Sequence, residues 1–366
     1  MATAATRTLQ ELMETLAKCD RASGADNAGG FYQSGLMTSA PGLLRSLGVD
    51  AEATALAAGV DPSVPMVEGK SISFTQLGRY MAQCVTDTGC NEFGLLVGVT
   101  GEFDRLGIVT QLMRTAPTLG AAIQDIAVNQ MRNARGATTF LQRIGDETRL
   151  GYTVHQPGVE ARDQISAAAI AFGTRIVRDL APGTPYEVHL AQAAPADRRD
   201  LRRYETLLGA RVYFDAEFSA VAIRNDALSY RLASANHEQR LRLLAEIRDY
   251  WPSAPPDICY LVFRTLIAQI AGADLSLAQT ARQLAMHPRT LERRLDEEGT
   301  SFSMIREAAR FEVARQLLSG TRLNMTAIAM AIGYTQPAAF SRTFRRWAGM
   351  SPRRYRDAGG DVRNVA

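Results

Sequence analysis

The feature that most constrains this chain is a unit it repeats. "ARQLAMHPRTLERRL" (281–295) and "AMAIGYTQPAAFSRTF" (329–344) share one layout. Ala281 matches Ala329, Leu284 matches Ile332 and Met286 matches Tyr334. After one extra residue, Leu291 matches Phe340, Arg293 matches Arg342 and Leu295 matches Phe344. Each copy reads as a short helix, a tight turn and a second helix rich in arginine, which is the layout of a helix-turn-helix. Gly333 stands in the second turn, where a left-handed or crowded backbone suits glycine; Ala285 holds that place in the first. Between the copies, "FSMIREAARFEVARQLLSG" (302–320) predicts one long helix that buries Met304, Ile305, Ala308, Phe311 and Leu318 and stops at Gly320. A rigid connector of this kind sets the second helices of the two copies to read one face of a duplex about one turn (~34 Å) apart.

The stretch "AAFSRTFRRWAGMSPRRYR" (338–356) is both basic and aromatic, and helical geometry reconciles the two. Residues i, i+4 and i+7 share a face. Phe340, Phe344 and Trp347 therefore point to the core, while Ser341, Arg342 and Arg345 lie away from it with Ala338 alongside. In the first copy Leu291 and Leu295 bury, and Arg289, Glu292 and Arg293 project. An arginine presented this way pairs bidentately with guanine in the major groove, worth roughly 1–3 kcal/mol of discrimination. From Asp274 onward there are 15 arginines against 9 acidic residues, a net +6, in a chain whose total is +3. The remainder is thus mildly acidic, and the C-terminal third reads as a polyanion-binding module. The alternative, a solvated basic helix on an ordinary domain, does not account for two matching copies in one basic segment.

The rest of the chain has ordinary globular composition, 46% hydrophobic and 22% charged, and its 366 residues suggest two or three domains. No apolar run nears the ~18 residues that cross a membrane, and no signal or transit peptide is read at the N-terminus, so a cytoplasmic location is expected. Four scattered cysteines argue against a disulfide framework, and four histidines without H-E-x-x-H spacing predict no metal site and no cofactor. The motifs of acyl-transfer, nucleotide-binding and metal catalysis are absent, and "GLLVGVTGEF" (94–103) carries its glycines at the wrong spacing for a phosphate loop, so no enzyme is predicted. Residues 1–33 read as a flexible extension, with a short amphipathic helix at 6–19 and a linker at 21–30. Helices at 162–181 and 194–209, a hairpin at 137–156 and strands at 186–192, 210–214 and 219–224 make residues 34–235 a mixed domain. Linker helices follow at 236–273, the two helix-turn-helix units at 274–357 and a tail at 358–366. The fold class predicted is an α+β N-terminal domain joined to an all-α DNA-binding domain.

Over residues 274–356 the chain resembles the AraC/XylS family of bacterial transcription regulators, most specifically in the ending G-x-S-P-x-x-Y-R from Gly349 to Arg356. Residues 35–235 resemble, more loosely, the effector domain of the subgroup that includes ornithine-utilisation regulators. The resemblance implies a small-molecule-responsive regulator, usually an activator, often a homodimer, acting on promoter DNA and RNA polymerase. It implies base contacts by Arg289, Glu292 and Arg293 in the first unit and by Pro337, Ala338, Ser341 and Arg342 in the second. Arg345, Arg346, Arg353 and Arg354 are candidates for phosphate contacts, which position the protein and make binding salt-dependent. Two departures matter. His287 replaces the Ser that commonly caps the first recognition helix. Gln336, Pro337, Ala338 and Ala339 stand where the second unit commonly has acidic or polar residues, so the first unit is expected to dominate specificity. The effector residues stay unknown: Phe140, Tyr152, Tyr186 and Lys70 are as readily core or surface residues. The alternative reading is a ligand-independent DNA-binding protein whose front domain only dimerises.

Overall fold

The computed structural model describes residues 8, 11–16, 31–33, 35–66, 70–129, 134–249, 257–270, 275–284 and 286–358. The chain forms two compact units. One comprises residues 29–243 with 320–322; the other comprises 1–28, 244–319 and 323–366.

The front unit is α+β, with strands β1 (Phe31–Gln33), β2 (Ser71–Ser73), β3 (Ala134–Arg135), β4 (Ala137–Ile144), β5 (Glu147–Val154), β6 (Tyr186–His189), β7 (Val212–Tyr213) and β8 (Ser219–Arg224). They form a three-stranded sheet, β2-β1-β3, and a five-stranded sheet, β4-β5-β8-β6-β7. Strands β4 and β5 are the predicted hairpin, closing at Gly145 with φ +60°. Its helices are α2 (Ala40–Ser46), α3 (Ala51–Ala57), α4 (Phe74–Thr88), α5 (Phe93–Thr100), α6 (Ile108–Arg114), α7 (Leu119–Asn129), α8 (Arg162–Leu180), α9 (Arg198–Leu208) and the start of α10 (His237–Asp249). Local chemistry sets their ends. Ser73 and Gln76 form a reciprocal capping box at α4, and Gly209, at φ +65°, ends α9.

The glycines of "GLLVGVTG" have a packing role. Gly94 and Gly98 lie one turn apart on α5 and face α8, where an added Cβ would run into the backbone carbonyls of Gln164 and Ala168. The pairing 94 with 164 and 98 with 168 means that the helices run in the same direction in near-backbone contact. Gly98→Ala is expected to cost about 1–3 kcal/mol, because the clash is with backbone and has no rotamer to relieve it. Urea unfolding of that variant against wild type is the check.

Within residues 1–33 the amphipathic helix read at 6–19 is present over residues 11–16, and residues 31–33 belong to a sheet and not to an extension. Helix α1 (residues 11–16) buries Leu12 and Leu16, and Phe31–Gln33 is a paired strand. Burial of apolar side chains and ladder hydrogen bonds hold these pieces. The predicted linker at 21–30 lies outside the described residues.

Candidate nucleic-acid interface

The second unit is all-α over its described residues. Beyond α11 (Ile258–Gln269) come α12 (Leu277–Gln283), α13 (Pro288–Glu297), α14 (Phe302–Gly320), α15 (Met325–Ala331), α16 (Pro337–Ala348) and α17 (Pro352–Asp357). Helices α12 and α13 form the first helix-turn-helix, α15 and α16 the second, and α14 connects them. Proline occupies the first position of both α13 and α16, where its missing N–H costs nothing. The predicted turn residue Gly333 has φ +82°, while Ala285 lies outside the described residues.

Both second helices are held down by one face. Leu291 and Leu295 on α13, and Phe340 and Phe344 on α16, are fully buried. Phe344 contacts Phe311 of α14 at 5.5 Å, Phe340 at 5.7 Å and Tyr355 of α17 at 5.4 Å, in edge-to-face geometry. Trp347 is half-buried against Phe311.

The opposite faces are open. Arg289, Glu292 and Arg293 are exposed on α13, and Ala338 and Arg342 on α16; Pro337 and Ser341 are half-buried there. Arg345, Arg353 and Arg354 are exposed as well. Arg346 differs: its Nη2 donates to both carboxylate oxygens of Glu307 on α14 at 3.2 Å. Arg293 pairs with Glu297, one turn on in the same helix. Exposed pairs of this kind are worth only about 0–1 kcal/mol, so each guanidinium is available to a phosphate or base at small cost.

The helix starts carry the expected signatures. His287 Nδ1 accepts from the Arg289 amide at 3.3 Å, so an imidazole takes over the serine's capping role at α13. Asn324 caps α15 through the Ala327 amide at 2.8 Å. Gln336 caps α16 with no side-chain bond.

The motif from Gly349 to Arg356 has a physical account. Gly349 at φ +72° ends α16, Ser351 caps α17, Pro352 starts it and Tyr355 enters the core. Arg356 donates to the Leu318 carbonyl near the end of α14 at 3.2 Å and to the Leu323 carbonyl at 2.6 Å. One residue escaped the sequence reading altogether. The Arg310 guanidinium of α14 lies 5.2 Å over the Tyr334 ring and within 3.2 Å of where a Cβ on Gly333 would sit, so it props the second turn. Nothing in the helical period distinguishes Arg310 from its solvent-facing neighbours.

In the front unit the candidate aromatics are packing residues. Phe140 packs on Phe218 at 5.1 Å, Tyr152 belongs to the main core, and Tyr186 is half-buried against that core. Lys70 is exposed and donates to Ser63 Oγ at 2.7 Å. Among the described residues no group of acidic, His and Cys side chains could hold a metal, and no helix is long and apolar enough to cross a membrane.

An α+β domain followed by two helix-turn-helix units with arginines on their free faces defines a two-domain, DNA-binding transcription regulator. Comparison with known proteins agrees. Residues 48–232 match the arabinose-binding domain of AraC transcription regulators, and residues 280–358 match a helix-turn-helix domain. The chain belongs to the AraC family of transcription regulators. It is 25% identical to the regulator VirS of Mycobacterium tuberculosis over 320 residues, covering 87% of this chain and 94% of that one. It is 27% identical to the ornithine utilization regulator of Pseudomonas aeruginosa over 330 residues, covering 86% and 93%. The crystal structure of the regulator CdpR from Pseudomonas aeruginosa matches with 22% identity and a TM-score of 0.42, covering 86% of this chain and 98% of that one. These relatives are transcription regulators and not enzymes.

Proposed function

We infer that this regulator binds promoter DNA as a homodimer, activates transcription through RNA polymerase, and is controlled by a small molecule in its front domain. The working division is residues 34–235 for effector binding, 236–273 for coupling and 274–357 for DNA. The observation that carries the DNA half is the pairing of buried Leu291, Leu295, Phe340 and Phe344 with exposed Arg289, Arg293 and Arg342 on the same two helices. In this reading α13 and α16 enter successive major grooves. Arg289, Glu292 and Arg293 supply most base recognition, Arg342 with Pro337, Ala338 and Ser341 supplies the rest, and Arg345, Arg346, Arg353 and Arg354 meet phosphates. The effector half is supported by a cavity inside the front unit and by family membership. An effector acts only through its difference in affinity for two arrangements of the protein. The ornithine utilization regulator, as a relative, makes amino-acid metabolites sensible first effectors to try.

Selection of bound duplexes from a random pool, followed by titration of the winning site, tests the assignment. Arg293→Ala is expected to lose about 1–3 kcal/mol on that site and to relax selection at one base position. Arg345→Ala is expected to weaken all duplexes alike and to lower the salt slope by about one. Unchanged selection in Arg293→Ala would remove α13 as the base-reading helix. If no small molecule alters promoter affinity, the front domain serves dimerisation alone.

A further inference from the structure

The second helices of the two helix-turn-helix units differ from their neighbours at one place, the residue just before the first turn. On α11, α12, α14, α15 and α17 that residue is Asp257, Ser276, Ser301, Asn324 or Ser351. Each of these side chains accepts from a backbone amide of its own helix, at 2.8–3.3 Å. Short side chains of this kind are the favoured N-caps, because their oxygens fold back onto the first turn. On α13 and α16 the same position holds His287 and Gln336, which are longer and exposed. Neither belongs to the favoured set.

Both keep their outer ends free. His287 spends Nδ1 on the Arg289 amide at 3.3 Å. A neutral imidazole has one acceptor and one donor nitrogen, so the proton sits on Nε2. Among the described residues that N–H has no acceptor. Gln336 makes no capping bond, and its side-chain amide has no partner among the described residues. Pro288 and Pro337 follow directly and fix the backbone of the first helical residue, which holds each side chain at the helix end. In α16 the need is plain: Pro337, Ala338 and Ala339 open the helix and carry no polar side-chain atom. Gln336 supplies the polar chemistry missing there.

In a helix-turn-helix the N-terminal residues of the second helix are the ones that reach base edges. We propose that His287 and Gln336 read bases: His287 donates through Nε2–H to N7 of a purine, and Gln336 pairs bidentately with an adenine at N6 and N7. The inference rests on the reading above that α13 and α16 enter major grooves. It adds one contact to each unit and gives the second unit a base reader beside Arg342.

The test uses the full-length protein. Duplexes are selected from a random pool with wild type, His287→Ser, Gln336→Ser, Gln336→Arg and Arg293→Ala, with titrations on the wild-type winning duplex and melting curves beside them. Serine keeps a capping oxygen at each position and removes the reach, so both serine variants should melt at or above the wild-type temperature. Each should bind the winning duplex about fivefold or more weakly, the lower end of one base contact, and should lose preference at one base pair only. The two base pairs should lie about one helical turn apart. Gln336→Arg should turn the adenine preference into a guanine preference, which no structural role of that side chain would do. His287→Asn, another strong cap, repeats the measurement if the serine variant melts low. Unchanged selection in the His287 and Gln336 variants, with Arg293→Ala altered, would overturn the inference and leave α13 as a base-reading helix. Unchanged selection in every variant would remove that reading of α13 and the inference with it. Weakening spread evenly over all duplexes, with a lower salt slope, would make these side chains phosphate contacts and overturn base reading.

Discussion

Phe344→Ala is expected to destabilise the DNA-binding unit by about 3–5 kcal/mol, the usual cost of emptying a buried phenyl site. Phe344 is fully buried and joins three helices: its own α16, where it meets Phe340, α14 through Phe311, which also packs on Trp347, and α17 through Tyr355. A loss of that size is a large share of a domain's total stability, and it should lower the unit's melting transition by on the order of 15 °C or more. Binding should fall on every duplex, because the helix that carries Arg342 and Arg345 loses its anchor. That pattern differs from Arg293→Ala, which spares stability and changes sequence preference. Phe344→Leu should recover much of the loss by refilling the space. Melting curves of the three variants beside duplex titrations check the prediction; normal melting of Phe344→Ala with lost DNA binding would contradict the anchoring role.

Arg240→Met is expected to cost the front unit about 3–5 kcal/mol at pH 7, because it leaves a buried carboxylate without its cation. Arg240, on α10, holds both oxygens of Asp125 on α7 at 2.6 and 2.7 Å and also donates to the Leu112 carbonyl at 3.2 Å. Burial pushes the Asp125 carboxyl up to about 6, against the lowering pull of Arg240. Desolvation therefore outweighs the pair's attraction, which is common for buried pairs. The sign follows from that direction. The folded state holds the proton more tightly than an unfolded carboxyl titrating near 4, so this group's contribution is fully present below about 4 and is lost as pH rises through about 6. Removing Arg240 raises the carboxyl further, so the variant should lose more stability at pH 7 than at pH 5. The double variant Asp125→Leu with Arg240→Met should recover most or all of the loss, since an apolar pair of similar volume needs no desolvation. Urea unfolding at both pH values measures each of these. A single-variant cost under about 1 kcal/mol at pH 7 would mean that water reaches the pair and screens it.

The DNA-binding half was legible in the order of its residues. Its two copies, the long connector at 302–320 and the inward set Leu291, Leu295, Phe340 and Phe344 all follow from a period of 3.6 residues, which depends only on local chain geometry. The bounds of α8 and the end of α9 were readable for the same reason, the latter marked by Gly209. The ion pair between Arg346 and Glu307 was not readable, since two helices 39 residues apart must first pack to bring them together.

The same distinction divides the whole protein. The sequence by itself determined that the chain has two helix-turn-helix units, which faces of them bury, and where helices such as α8 and α14 begin and end. Those properties are set by neighbours within a turn or two. Only the tertiary structure decided that Gly94 and Gly98 serve a helix contact, that Arg310 props Gly333, and that Asp125 needs Arg240. It also decided that Glu92, Asp163 and Tyr204 line one cavity, because segments as far apart as 82–85, 91–92, 161–164 and 192–204 share that space only after the unit has folded.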